Sequence, residues 1–478
     1  MANIKHNLMY STLLTMSTYL VPLIVFPYIS RILGVEGIGV VDTIDSLIDY
    51  CILFSMMGMS SVGIREIAKC KDNEQELSQT FTDLFALNLY STLFIAVVFG
   101  CFVCFSPRLQ DFGILIPISL LKLIANLFWV EWLYTGLEKF RYITIRSLMI
   151  RFIFIISVFL FIHSQTDVVV YYFLFVSITI GNAICNWYHK RSYLHWNLFR
   201  ANVRRFLLPF FLLGCFAILS AIYTKLSLPV LNFLTNDYEA GNYATATRFY
   251  QVVIALIGAL TAVMIPRMSI LIKKRNFDLV REYSYNSFKI LFLFAFPLII
   301  FVELFAPDII RLFAGNGFEG AVLPMRIIIL QLIVIGAEKI IVLQLLIPLR
   351  KDRTIIIAGI VGVLVWLALT ISLVPLFHSI GTSIAWIASE LTVLLITSHE
   401  TRRSLSIDLP IWLFVKSCAF SIPYILLGLL VITWFEGPVL RILSSMALFL
   451  TYATLLEFYI YKIGITKDIL RLINSKKK

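Results

Sequence analysis

Runs of apolar residues long enough to cross a bilayer, about 20 residues each, constrain this chain more than any other feature. They fall near 8–30, 40–62, 82–105, 112–135, 145–163, 168–189, 207–233, 243–266, 286–306, 322–348, 354–376, 380–398, 411–434 and 439–461. Unpaired backbone groups are too costly in hydrocarbon, so only helices and closed barrels span it. Barrel-like alternation is absent, and the runs read as helices. The expectation is an all-α polytopic membrane protein with about fourteen transmembrane helices. Composition agrees, with 60% hydrophobic and 14% charged residues and a mean hydropathy of +0.90. The first run is too long for a cleavable signal, and no small-residue cleavage site follows it.

The net charge of +12 suggests nucleic acid only until the basic residues are placed. With the N-terminus inside, the cytoplasmic segments hold thirty of the 40 Lys and Arg residues, and the outer segments hold five: Arg31, Arg108, Arg311, Arg326 and Arg441. That bias is the positive-inside signature. It puts both termini in the cytoplasm and makes the charge a topology signal, with no nucleic-acid partner expected. The longest loops, around 190–206 and 267–285, are amphipathic and read as interfacial helices.

Chemical signatures are sparse. No P-loop is present, so no nucleotide hydrolysis is expected. Gly34, Gly37 and Gly39 lack the βαβ context of a dinucleotide site and read as a helix–helix turn. The six histidines are scattered without ligand spacing, and no metal or cofactor site is expected. Cys101 and Cys104 form a CxxC at a helix end, where small-residue packing is the plainer reading. No catalytic residue is proposed.

What remains is charge inside the runs, a functional-site hypothesis by default. The second run carries Asp42, Asp45 and Asp49. At about 100° per residue, these lie within roughly 60° of one helix face, which should look into protein or water. Lys122, Arg151, Lys225, Arg248 and Lys339 are the buried cations, and Glu131, Glu338 and Glu390 lie at similar depth. Glu338 beside Lys339, and Arg151 near a helix end, read most simply as an internal pair and a snorkelling side chain. The segment Phe128-Trp129-Val-Glu131-Trp132-Leu-Tyr134 suits sugar stacking, or alternatively anchoring at the interface.

Four segments carry a resemblance. Pro27-Tyr-Ile-Ser-Arg31-Ile-Leu-Gly34-x-x-Gly37-x-Gly39 resembles the opening signature of the Wzx-type polysaccharide flippases, within the multidrug/oligosaccharidyl-lipid/polysaccharide exporter superfamily. Glu131-Trp132-x-x-x-Gly136-x-Glu138 is similar to a further motif of that family. So are Gly241-Asn-Tyr243-Ala-Thr-Ala246 with Pro266-Arg267, and Ala306-Pro-Asp-Ile-Ile-Arg311 with Gly315 and Phe318. The resemblance spans roughly residues 1–400. The family is expected to be mostly neutral at positions 42, 45 and 49, so the aspartate stripe departs from its pattern.

The resemblance implies two six-helix lobes, residues 1–206 and 207–403, around a central cavity. Residues 404–478 then add two transmembrane helices and a basic cytoplasmic tail. It implies a non-enzymatic flippase in the bacterial inner membrane, serving surface polysaccharide such as the O-antigen of lipopolysaccharide. Its substrate is a polyprenyl-diphosphate-linked oligosaccharide, moved from the cytoplasmic to the outer leaflet by alternating access. Implied partners are membrane lipids, the polysaccharide polymerase and chain-length machinery, and a proton or sodium ion. Lys122, Lys225, Arg248, Arg31 and Trp132 would line the cavity; Asp42, Asp45, Asp49 and Glu390 would gate or couple it. A cation-coupled multidrug antiporter of the same fold is the first rival. A membrane-embedded glycan polymerase or ligase is the second, disfavoured by the short outer loops.

An internal repeat sharpens the gate. Leu228-Pro229, a polar turn and Gly241 repeat the layout of Pro27 to Gly39. Laying Gly37 on Gly241 puts Asp45 on Phe249, beside Arg248. The aspartates would then pair with Lys225 or Arg248 across the lobes as an outer gate, or alternatively bond within their own lobe.

Overall fold

The computed structural model describes residues 2–190 and 201–457. It divides into two compact units after Gly241. The first holds α1 (Ala2–Met56), α2 (Met59–Cys70), α3 (Glu74–Phe105), α4 (Pro107–Gln110), α5 (Leu115–Trp129), α6 (Glu131–Gly136), α7 (Phe140–Phe161), α8 (Val168–His189) and α9 (Arg204–Leu234). The division falls within α10 (Asp237–Lys273). The second unit continues with α11 (Phe277–Phe313), α12 (Val322–Ile329), α13 (Gln331–Lys339), a π-helical turn (Ile340–Leu346), α14 (Asp352–Leu405), α15 (Ile411–Trp434) and α16 (Pro438–Leu456). Among the described residues there is no strand.

Ten helical stretches among the described residues are long and apolar enough to cross a membrane. Two of them, α1 and α14, are 55 and 54 residues long. At about 1.5 Å per residue each would run roughly 80 Å if straight, well beyond a hydrocarbon core of about 30 Å. Both are broken. In α1 the break is Gly34, at φ 70° and ψ −179°, a conformation open essentially to glycine alone. The helix–helix turn expected across Gly34, Gly37 and Gly39 is thus a single-residue break at Gly34, because the residues on either side stay helical. In α14 the break is His378, at φ 49° and ψ −125°, three residues after Pro375.

Other boundaries also move. The run expected over 40–62 stops at Met56; Met57 takes a positive φ of 35°, and α2 starts afresh at Met59. The run over 112–135 is cut at Val130, whose left-handed φ 34° and ψ 38° separate α5 from α6. That cut frees the Trp129 carbonyl, which accepts a hydrogen bond from the Asn186 side chain of α8. The stretch 267–285 is no separate interfacial helix: α10 runs to Lys273 and α11 starts at Phe277, so the amphipathic residues are helix ends. Most of the interfacial helix expected over 190–206 lies outside the described residues.

Packing within the first unit explains what lies deep in it. α5 packs along α8, and α1 touches α3, α5, α7 and α9. At one end, Phe81, Phe85, Trp132, Leu133 and Tyr134 form a closed apolar core. In the second unit, α11 is the central element, against α12, α13, α15 and α16, while α14 packs on α12 and α13.

Candidate functional site

Three helices of the first unit bring a charged cluster together. The second half of α1 supplies Asp45 and Asp49, one turn apart on the same face. α5 supplies Lys122, midway along an otherwise apolar helix. Its ammonium donates to Asp45 Oδ1 at 2.6 Å and to Asp49 Oδ1 at 2.7 Å. It also lies 5.5 Å from the centre of the Phe175 ring on α8. From α9, Lys225 donates to the other oxygen of Asp49 at 2.8 Å. Asp49 therefore bridges two cations, and the four charges balance.

Exposure separates the two lysines. The Lys122 side chain is 9% exposed and that of Lys225 is 49% exposed. An ion pair held out of water is stable only when both charges are matched, and removing one partner costs about 3–5 kcal/mol. Lys122 thus ties Asp45 and Asp49 together on α1. Lys225 is the more exposed of the two cations, and Asp49 holds it.

The remaining sequence candidates are spread out. Asp42 lies on the same half of α1, one turn before Asp45. Arg31 is exposed on α1, and its guanidinium donates to the Pro27 carbonyl one turn back. Trp132 is 3% exposed and stacks on Phe81 at 5.6 Å, inside the apolar core. Its neighbour Glu131 accepts from Arg146 at 3.3 Å. Arg248 is half-buried on α10, in the second unit. Glu390, on the second half of α14, is 4% exposed and accepts from the Trp386 indole at 3.2 Å.

Two features escaped the sequence. One is the closeness of Glu338 on α13 to Glu390 on α14. Adjacency suggested Lys339 as the partner of Glu338, and Lys339 does interact electrostatically with it, with Glu390 beside them both. The other is a reciprocal backbone contact between the two turns of the repeat. A methyl group built on Gly39 falls onto the Asp237 carbonyl oxygen, and one built on Gly241 falls onto the Val35 carbonyl oxygen. Val35 thus matches Asp237 as Gly39 matches Gly241, a register two residues away from the Gly37-onto-Gly241 alignment. Under it Pro27 also falls on Pro229.

This fold defines a class. The chain superposes on a structure described as "Lipid II flippase MurJ, inward closed conformation" with a TM-score of 0.71 and 17% identity, covering 94% of this chain and 99% of that one. An inward-facing multidrug resistance MATE family transporter of the MOP superfamily gives a TM-score of 0.63 at 15% identity, over 81% of this chain and 94% of that one. The architecture is that of the exporter superfamily expected from the motifs. Within it, the chain belongs to the polysaccharide biosynthesis protein family, whose model matches residues 4–272. The MatE model matches residues 237–346. A protein of Escherichia coli (strain K12) described as "Putative O-antigen transporter" is 23% identical over 407 residues, covering 82% of this chain and 95% of its own length. A protein of Shigella dysenteriae with the same description is 23% identical over 409 residues, covering 82% and 98%.

Proposed function

We propose that the protein is a flippase that carries a polyprenyl-diphosphate-linked oligosaccharide repeat unit from the cytoplasmic to the outer leaflet of the bacterial inner membrane, for surface polysaccharide assembly. The observation that carries this is the balanced cluster of Lys122, Asp45, Asp49 and Lys225 inside helices that otherwise suit hydrocarbon. A sugar diphosphate cannot cross about 30 Å of hydrocarbon unaided, while its polyprenyl tail never has to leave it. A cation at membrane depth, held by a carboxylate that can be displaced, offers the diphosphate a charge-assisted partner without leaving a bare charge beforehand. Displacement also breaks the Asp49–Lys225 link between α1 and α9, which begin the two halves of the repeat. Ligand binding then favours a state in which those helices part, as differential affinity requires.

In this reading each half of α1 and of α14 crosses once, the chain crosses fourteen times, and both termini are cytoplasmic. The lobes are residues 1–206 and 207–403, with 404–478 added. The protein is a transporter without a catalytic site. Its relatives' descriptions, the family membership and the superfamily fold all support transport of a lipid-linked glycan. The polymerase and chain-length machinery are the partners that would receive the product. The deciding experiment locates the lipid-linked repeat unit in cells lacking the protein. Accumulation of complete units on the cytoplasmic leaflet is expected. Accumulation of single units on the outer leaflet overturns the reading in favour of a polymerase. Dye efflux with normal surface glycan overturns it in favour of a drug antiporter.

A further inference from the structure

The linker joining α14 to α15 lies against the first turns of α11 and leaves a cavity of about 380 Å³ between them. Arg281 of α11 lines it, donating to the Leu405 carbonyl at 3.2 Å and to Asp278 at 3.2 Å. A guanidinium carries more N–H donors than those two bonds use. On the linker side, Asp408 is already held by Arg402 at 3.0 Å. Two polar groups of the lining are left over. Glu282 is exposed and forms no ion pair among the described residues. Ser284 is 1% exposed, and its hydroxyl has no hydrogen-bond partner. Ser287, by contrast, donates to the Tyr283 carbonyl one turn back, as helical serines commonly do. A buried hydroxyl left unpaired on a cavity wall calls for a partner from outside the chain. The depth of the cavity says where that partner comes from. Arg281 to Tyr285 directly precede the apolar run 286–306, and the linker directly precedes the run 411–434. Ile411 and Trp412, the first residues after Pro410, are both exposed. An exposed tryptophan at the end of an apolar run marks the level of the lipid head groups.

We propose that this cavity binds the head group of a phospholipid bearing both a phosphate and a primary ammonium. The spare donors of Arg281 and the Ser284 hydroxyl take the phosphate oxygens, as charge-assisted hydrogen bonds. The ammonium donates to the Glu282 carboxylate. A head group with a phosphate alone would set its negative charge beside that unpaired carboxylate, so the two side chains together select the zwitterion. The acyl chains then run along the exposed apolar start of α15. The bound head group bridges α11 to the linker and holds α15 at its first residues. The site requires only that the chain spans a bilayer, and it stands apart from what the protein transports.

Native mass spectrometry of the purified full-length protein in detergent tests the site. The probes are phosphatidylethanolamine, phosphatidylglycerol with the same acyl chains, and water-soluble glycerophosphoethanolamine. Phosphatidylethanolamine is expected to bind about tenfold more tightly than phosphatidylglycerol, the difference that one charged hydrogen bond makes. Glu282→Gln removes no contact within the chain and should erase that preference. Ser284→Ala should weaken both lipids. Equal binding of the two lipids by the unsubstituted protein overturns the proposal, and no variant is needed to see it. A preference that persists in the folded Glu282→Gln variant overturns it equally. Glycerophosphoethanolamine bound as tightly as the lipid would assign the cavity to a soluble ligand and overturn the lipid site.

Discussion

The α-carbons of Gly39 and Gly241 each rest against a carbonyl oxygen of the opposite turn, Asp237 for the first and Val35 for the second. Two helix ends that meet this way approach as closely as backbones can, because neither side presents a Cβ. Side chains secure the same turn: Asp237 accepts from Asn232 at 2.7 Å and from Arg108 at 3.4 Å.

Gly39→Ala is therefore expected to lower the stability of the purified protein by about 1–3 kcal/mol, the usual cost of overpacking. Gly100→Ala is the control, since nothing lies within 4 Å of its added methyl. Thermal unfolding of the two variants checks this, and equal midpoints would remove the contact from the account.

Lys122 and Lys225 should fail differently when each is replaced by methionine. Lys122→Met leaves two partly buried carboxylates without their clamp and should reduce the folded protein in the membrane, by up to about 3–5 kcal/mol of stability. Lys225→Met removes a half-exposed pair worth about 0–1 kcal/mol, so abundance should hold while glycan export falls. Quantifying both by membrane immunoblot and surface-glycan assay separates a clamp from a binding cation. Unchanged export in Lys225→Met would argue against diphosphate binding there.

Asp49 and Lys225 should be coupled. Asp49→Asn and Lys225→Met are expected to give a double-mutant interaction of about 0.5–1 kcal/mol. Lys225→Met combined with Glu303→Gln, at a residue paired with Arg326 in the other unit, should be additive. Thermal shifts of the purified variants measure both cycles. Additivity in the first would mean that the α1–α9 link contributes nothing.

The break in α14 predicts an order of tolerance. At φ 49° and ψ −125°, His378→Gly relieves backbone strain and should keep or raise stability, whereas His378→Val should lower it by about 1–3 kcal/mol. A valine variant as stable as the glycine variant would show that this bend does not persist in the membrane.

Much of this was legible from residue order. Apolar length alone reports a crossing, because a helix in lipid satisfies its own backbone groups. The runs around α3, α7, α8, α15 and α16 became helices close to where they were read. The motif from Pro27 to Gly39 and its three companions pointed to the superfamily before any coordinate did. The breaks were less legible. Gly34 was visible as a glycine, but Val130 and His378 hold positive φ without a sequence signal.

Position along a helix follows from counting residues at about 1.5 Å each, so the sequence by itself determined that Asp45, Asp49, Lys122, Lys225, Glu338 and Glu390 fall inside apolar runs long enough to cross a bilayer. Their partners depend on how helices far apart in the chain rotate and pack, which no local spacing encodes. Tertiary structure placed Lys122 between two aspartates of α1, Lys225 on the other oxygen of Asp49, and Glu390 near Glu338. It set the register of the two turns as well, because backbones could meet only where both lacked a Cβ.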